Sequence, residues 1–271
     1  MQELVIEAGR TARHYWGDLW RYRELFYFLA WRDLLVRYKQ TVVGVSWAVI
    51  RPLVTMVVLT VVFGTFAKMP ADVPYPLLVF SGVLPWQFFS TAVADCGNSL
   101  ITNAGLLSKV YFPRMAVPIS SMMVSVADLL VSGLILVAVM FWYGFWPGPQ
   151  VIFLPVFLLM LAAAAFSAGL WIAALMVQYR DFRFIVPFIV QFGLYISPVG
   201  FSSEVVPAQW RLLYSLNPMV GVIDGFRWAL LGQTTPFRWS AVLLSALTTG
   251  ILLVSGIRYF RATERTFADV I

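Results

Sequence analysis

The 271 residues include one cysteine, Cys96, and one histidine, His14. A lone cysteine excludes an intramolecular disulfide, and the pair cannot furnish a Cys/His metal cluster or an H-E-x-x-H zinc helix. His14 reads as an exposed residue of a polar arm. No G-x-x-x-x-G-K-[ST] occurs, so the loop that cradles nucleotide phosphates is missing from this chain. Charge is scarce too: 12% of residues are charged and 61% hydrophobic, with a mean hydropathy of +0.82. Polar groups this sparse cannot cover a protein in water, so the chain reads as an all-α integral membrane protein. About six or seven spans of roughly 20 residues fill it, leaving no length for a large soluble catalytic domain. Residues 1–23 carry scattered charges without an apolar stretch ending in small residues, so the arm is expected to stay on the mature protein.

After the arm, LFYFLAWRDLLVRYKQ (25–40) places Phe28, Trp31, Leu35 and Tyr38 on one helical face and Arg32, Asp33, Arg37 and Lys39 elsewhere. It predicts an amphipathic helix lying in the membrane interface. Six apolar spans follow at about 42–67, 76–94, 115–145, 151–177, 184–201 and 239–257, which divides the chain into an arm (1–41), a membrane domain (42–257) and a tail (258–271). Six spans put both termini on one side. Basic residues then set the orientation. With termini inside, the cytoplasmic side holds Arg10, Arg13, Arg21, Arg23, Arg32, Arg37, Lys39, Lys109, Arg114, Arg180, Arg183, Arg258, Arg261 and Arg265, against Lys68, Arg211, Arg227 and Arg238 outside. The net charge of +6 is therefore a topology signal and not a footprint for nucleic acid.

Two regions interrupt this pattern. Residues 202–236 contain Pro207, Pro218 and Pro236, which cut them into pieces of about 15 and 22 Å as helices. Neither crosses a hydrocarbon core of about 30 Å, so the region predicts either two short re-entrant helices or a loop on the outer surface. The stretch LLSKVYFPRMAVPIS (106–120) sets Lys109, Arg114 and two prolines between long apolar runs. Intramembrane acids are limited to Asp95 and Asp128. Two isolated carboxylates make a poor proton wire, and Asp128 is expected to hydrogen-bond a neighbouring helix. Aromatic residues are plentiful at 16%, among them Trp47, Phe63, Phe66, Trp86, Phe88, Phe89, Phe192, Tyr195 and Phe201. Most such rings serve packing or interface belts, yet flat apolar faces also suit the C–H faces of sugars, so a polysaccharide conduit is worth naming.

The stretch RDLLVRYKQTVVGVSWAVIRPLVTMVVLTVVFG (32–64) resembles the approach to the first span of the ABC-2 type permeases that export O-antigen, capsule and teichoic acid chains (Wzm, KpsM and TagG types). YPLLVFSGVLPWQFFS (75–90), LLSKVYFPRMAVPIS (106–120), QYRDFRFIVPFIVQFGLYISPVGFS (178–202) and LNPMVGVIDGFRWALLG (216–232) are further matches in family order. The wording RYKQTVVGVSWAVIRP favours the O-antigen type.

This resemblance implies a homodimeric permease of the bacterial inner membrane with cytoplasmic termini. It binds two copies of a separate ABC ATPase, which holds ATP and magnesium, and passes an undecaprenyl-linked glycan outward. The chain itself would then have no catalytic residue, metal or cofactor, and its partners would be membrane lipids and the lipid-linked polysaccharide. The resemblance also assigns residues. Asn103 to Pro118 becomes a coupling helix that seats Lys109, Tyr111, Phe112 and Arg114 against the ATPase, with Pro113 and Pro118 stopping the helix on either side of Arg114. The eight aromatics from Phe63 to Phe201 line the channel, and Arg37, Lys39 and Arg51 are candidates for the carrier's diphosphate. Residues 202–236 become external gate helices with Trp210, Tyr214, Asn217 and Pro218. An ABC-2 exporter of capsule, teichoic acid or drugs shares this topology; the drug type is expected to lack the ring concentration. A membrane-embedded glycolipid enzyme would need clustered acids, histidines or a metal site.

Overall fold

A computed structural model describes residues 15, 17, 19–39, 42–107, 109–110, 112–232, 237–264 and 267. The expectations for His14, Arg10, Arg13, Tyr111, Pro236 and Arg265 lie outside the described residues. Eight principal helices run in the order α1 (Arg23–Lys39), α2 (Val42–Leu59), α3 (Tyr75–Thr102), α4 (Ala116–Trp142), α5 (Leu154–Gln178), α6 (Phe182–Ile196), α7 (Pro218–Leu231) and α8 (Trp239–Thr263), and no strand occurs among the described residues. Among the described residues, five stretches are long and apolar enough to cross a membrane: Ser46–Phe66, Tyr75–Thr102, Ala116–Trp142, Pro149–Gln178 and Trp239–Thr263. The fifth expected span falls short, because α6 has 15 residues, about 22 Å of helix. Its apolar run continues in sequence, but Pro198 cannot extend a helix and removes a donor from the turn.

Local chemistry sets several boundaries. α2 passes into a π-helical segment, Thr60–Phe66, whose wider turn is uncommon and favours functional positions. In α4, Pro118 sits in the first turn, where no intrahelical donor is required, so it starts the helix and does not stop it. At α7 the Asn217 side chain accepts from the Met219 N–H, Pro218 occupies the first helical position, and Gly232 at φ 73° ends the helix in a conformation that side chains avoid.

Two apolar clusters mark the ends of the bundle. At the arm end, Leu29 of α1 packs with Leu100, Phe112, Met115, Ala173 and Val177, joined by Phe260 and Phe267. At the far end, the first half of α3 meets Phe157 and Leu161 of α5 and most of α7. Small residues let the helices approach. A Cβ on Gly97 would stand 2.6 Å from Ile172 Cγ2, and one on Gly169 2.6 Å from Cys96 Cβ, so α3 and α5 nearly touch backbone to side chain.

Candidate functional site

The charged face of α1 is turned into the bundle. Arg32 donates to Asn103 at 2.7 Å, and Arg37 lies 3.1 Å from Asp95 on α3 and 3.4 Å from Asp128 on α4. Tyr38 donates to Asp128, and Ser125 donates to Asp95 at 3.1 Å. The two intramembrane acids thus converge on one arginine, and Asp128 does bond a neighbouring helix. Burial lowers the Arg37 pKa, but Asp95 and Asp128 outweigh it and hold the guanidinium above its ordinary value. Burial, with the bond to Asp128, pushes the Tyr38 phenol up to about 12. The apolar side of α1, with Tyr27, Phe28 and Trp31, is left uncovered by protein, as a lipid-facing side is.

Beside this cluster lies a cleft of about 110 Å³ between α1, α2, α3 and α4, lined by Trp47, Arg51, Gln87, Thr91, Asp128 and Ser132 among others. Since about 10–15 Å³ accommodates one water, this space takes a group the size of a sugar ring or a phosphate. Pro52 has no N–H for the Ala48 carbonyl, so the wall of the cleft also carries an acceptor that α2 itself leaves open. The three cation candidates separate here. Arg37 lines the cleft but is held by two carboxylates, Lys39 is exposed and does not line it, and Arg51 lines it with no acceptor among the described residues.

The aromatic candidates also divide. Trp86 and Phe88 are buried in the far-end cluster, with Phe89 packed against it and 5.5 Å from Trp86. Phe63 meets Phe201 at 6.1 Å where Gly200 leaves room for its ring. Phe66, Phe192 and Tyr195 stand open at 77%, 52% and 59% exposure.

Among the described residues between α3 and α4 only Ala104–Leu107 is helical, so in place of the expected coupling helix over 103–118 the described residues show one turn, then irregular backbone at 109–110 and 112–115 before α4 begins. Pro113 disfavours helix at Phe112, and Phe112 is buried. Lys109 is exposed. Arg114 faces the end of α8: its backbone N–H donates to Glu264 Oε1 at 2.8 Å and its guanidinium to the Glu264 carbonyl at 2.5 Å. Tyr15 donates to the same carboxylate at 3.3 Å, and Arg261 lies 4.7 Å over the Tyr15 ring. Burial raises the pKa of both Glu264 and Tyr15. Glu264 escaped the sequence reading because a lone acid just past the last apolar span carries no motif.

At the far end the first expected gate helix is instead a pair of 3-10 turns, Ser203–Val205 and Ala208–Trp210, and one α-turn, Arg211–Tyr214. Arg211 holds them by donating to the Val206 and Glu204 carbonyls at 2.6 and 2.9 Å. Trp210 is exposed, Tyr214 donates to the Ile196 carbonyl at 2.8 Å, and Asn217 donates to Ser197 at 3.0 Å. Arg227, counted from sequence as an external loop charge, is buried and donates to the carbonyls of Leu78, Val199 and Phe201 at 3.1, 2.8 and 2.8 Å. It satisfies the broken backbone after α6, which no lipid could do.

Residues 24–231 match the family model described as ABC-2 type transporter. The chain belongs to the ABC-2 transporter family. As an ABC-2 permease it is the multi-pass membrane component of a transporter that works with an ABC ATPase, and not itself an enzyme. Its sequence is similar to the O-antigen export system permease protein RfbA of Klebsiella pneumoniae, 24% identical over 89% of this chain and 92% of the relative. RfbA of Myxococcus xanthus is 26% identical over 94% and 98%, and the polysialic acid transport protein KpsM of Escherichia coli 24% over 86% and 91%. Among the described residues of the permease, no group of three or more His, Cys, Asp or Glu is placed to hold a metal.

Proposed function

We propose that this permease exports undecaprenyl-linked polysaccharide of the O-antigen type across the bacterial inner membrane. It acts as a homodimer with two copies of a separate ATPase subunit that binds ATP and magnesium. The observation that carries the reading is the near full-length similarity to permeases named for O-antigen and polysialic acid transport. Two structural features support it. The cleft beside α1 offers Arg51 for a carrier diphosphate beside Trp47 and neutral hydrogen-bonding groups, and open rings at Phe66, Phe192 and Tyr195 give interchangeable contacts of the kind a moving glycan needs.

The bond between Tyr15 and Glu264 brings the described ends of the chain together, which favours an even number of crossings. In this reading α6 and residues 197–201 make the sixth, both termini are cytoplasmic, and α7 with the turns before it forms the external gate. Lys109, Tyr111, Phe112 and Arg114 belong to the element that meets the ATPase. The test is deletion of the gene with immunoblotting of surface polysaccharide. Loss of surface glycan, accumulation of lipid-linked glycan inside and rescue by the wild-type gene are expected. Unchanged surface glycan in the deletion strain would overturn the reading.

A further inference from the structure

We infer that α8 is the rod that links the ATPase-coupling stretch to the far-end gate, with Glu264 as its positioning residue at one end and Ser245 at the other. The inference rests on the proposed reading of residues 109–114 as the coupling element. The described residues of that stretch form no helix of their own, so a push on them would be lost in bending unless something stiffens them. Glu264 does so. Its carboxylate accepts from the Arg114 backbone N–H and from Tyr15, and its carbonyl accepts from the Arg114 guanidinium. Phe267 adds a buried ring 6.0 Å from that guanidinium and packs edge-on against Phe260 at 5.4 Å. A displacement at Arg114 is thus delivered to α8 as well as to α4, which it enters through the chain.

α8 is 25 residues long, about 37 Å of continuous helix without proline, and reaches the far end. There Ser245 is buried and bonded three ways: its hydroxyl accepts from the Gly221 N–H at 3.1 Å and donates to the Ser215 and Asn217 carbonyls at 2.8 and 3.3 Å. A Cβ on Gly221 would lie 2.5 Å from Ser245 Cβ, so α7 and α8 are locked in contact at this point. Residues 215–221 lead into α7 and carry Asn217, which ties them to Ser197 after α6. The rod therefore grips the coupling stretch at one end and the hinge of the gate segment at the other. Hydrogen bonds and tight packing at both ends make the two-site attachment that mechanical coupling requires.

The experiment uses the full permease with its ATPase subunit in proteoliposomes, reading ATP turnover, glycan translocated per ATP and the amount of folded permease. Glu264→Ala is expected to lower permease-stimulated ATP turnover about fivefold or more and to reduce glycan moved per ATP, at equal folded permease. Glu264→Gln keeps the acceptor oxygen and is expected to restore most of both. Ser245→Ala leaves the coupling stretch untouched and is expected to lower glycan moved per ATP. Where Glu264→Ala reduces the amount of permease, Ser245→Ala and the Glu264→Gln rescue decide. Normal coupling in both alanine variants, or in Ser245→Ala alone where the first does not fold, overturns the rod. A wild-type complex in which the permease neither stimulates the ATPase nor moves glycan overturns the proposed function itself.

Discussion

α2 and α3 are neighbouring apolar spans with opposite fates. The window in Ser46–Phe66 has a mean hydropathy of 2.0 and 11% of it is buried, whereas the window in Tyr75–Thr102 has 1.5 and is 72% buried. The less apolar helix is the one inside. In water the reverse would hold, because burial there is driven by apolar area. Lipid tails accept valine and phenylalanine as well as a protein core does, so α2 gains little by turning its side chains inward. α3 is drawn inside by what lipid serves badly: small residues that admit close backbones, and hydrogen-bonding groups that need partners. Ser81, Gly82, Ala92, Cys96, Gly97 and Ser99 are all buried, and the Leu78 carbonyl takes a hydrogen bond from Arg227.

That contrast can be tested by substitution, beginning with the largest expected effect. Arg227→Ala should be the most damaging, since it strands the carbonyls of Leu78, Val199 and Phe201 and removes one of the two cations that act on buried Asp224. Removing one partner from such a buried set costs about 3–5 kcal/mol, and thermal unfolding in detergent should show a folded fraction far below wild type. Gly97→Val should come next, at about 1–3 kcal/mol or more, because its side chain must displace Ile172. Its counterpart on the open face of α2, Val57→Leu, should stay within about 0.5 kcal/mol. Equal melting temperatures for these two variants would refute the distinction between the helices.

The rings permit a finer test. Phe66, Phe192 and Tyr195 replaced together by leucine should leave the permease folded in normal amount while surface export of long glycan falls severalfold, each single change doing less. Trp86→Leu should do the opposite, lowering stability through the cavity left in the core. If surface glycan is unchanged by the triple variant at equal permease, the open rings are lipid contacts and the conduit lies elsewhere. The smallest effect concerns Glu264. Its pKa is raised by burial, so the ionised form is the disfavoured one in the folded protein. The stability it contributes is therefore present at low pH and lost as pH rises through the ordinary carboxylate value to the raised one. Relative to Glu264→Gln, the wild-type melting temperature should fall as pH rises from the ordinary carboxylate value towards the raised one, and a constant difference would contradict this sign.

Much of the bundle was legible because apolar runs long enough to cross a bilayer are rare by chance. The spans expected from about residues 42, 115, 151 and 239 begin within a few residues of α2, α4, α5 and α8; the π-helical segment to Phe66 completes the first, and α8 runs six residues past its expected end. α3 runs eight residues past its expected end because Asp95 bonds Ser125 and Arg37 inside the bundle and buried Ser99 bonds the Cys96 carbonyl, while Asn98 is exposed and bonds the Ala94 carbonyl of its own helix. α6 is shorter than its apolar run, because apolar character continues past Pro198 while helix geometry does not. The amphipathic helix exposes Phe28 and Trp31 as one apolar face would, but its Tyr38, read on that face, turns in to Asp128, and its Lys39, read on the opposite face, is exposed. The bonding of its charged face to Asp95, Asp128 and Asn103 was not legible, since those partners are 58 to 91 residues away along the chain and obey no spacing rule.

The sequence by itself determined that this is a helical membrane protein, where most of its spans lie, and which family it belongs to, since all three follow from local runs and ordered motifs that need no contact to be read. Only the tertiary structure decided what each charge is for. Arg37 neutralises two carboxylates, Arg227 satisfies a broken backbone, Arg114 is tied to Glu264, and Arg51 alone of the cleft's cations has no acceptor among the described residues. In a linear sequence these are four equivalent positive charges. In a medium without water each must find a partner in space, and which partner it finds is set by how the helices pack.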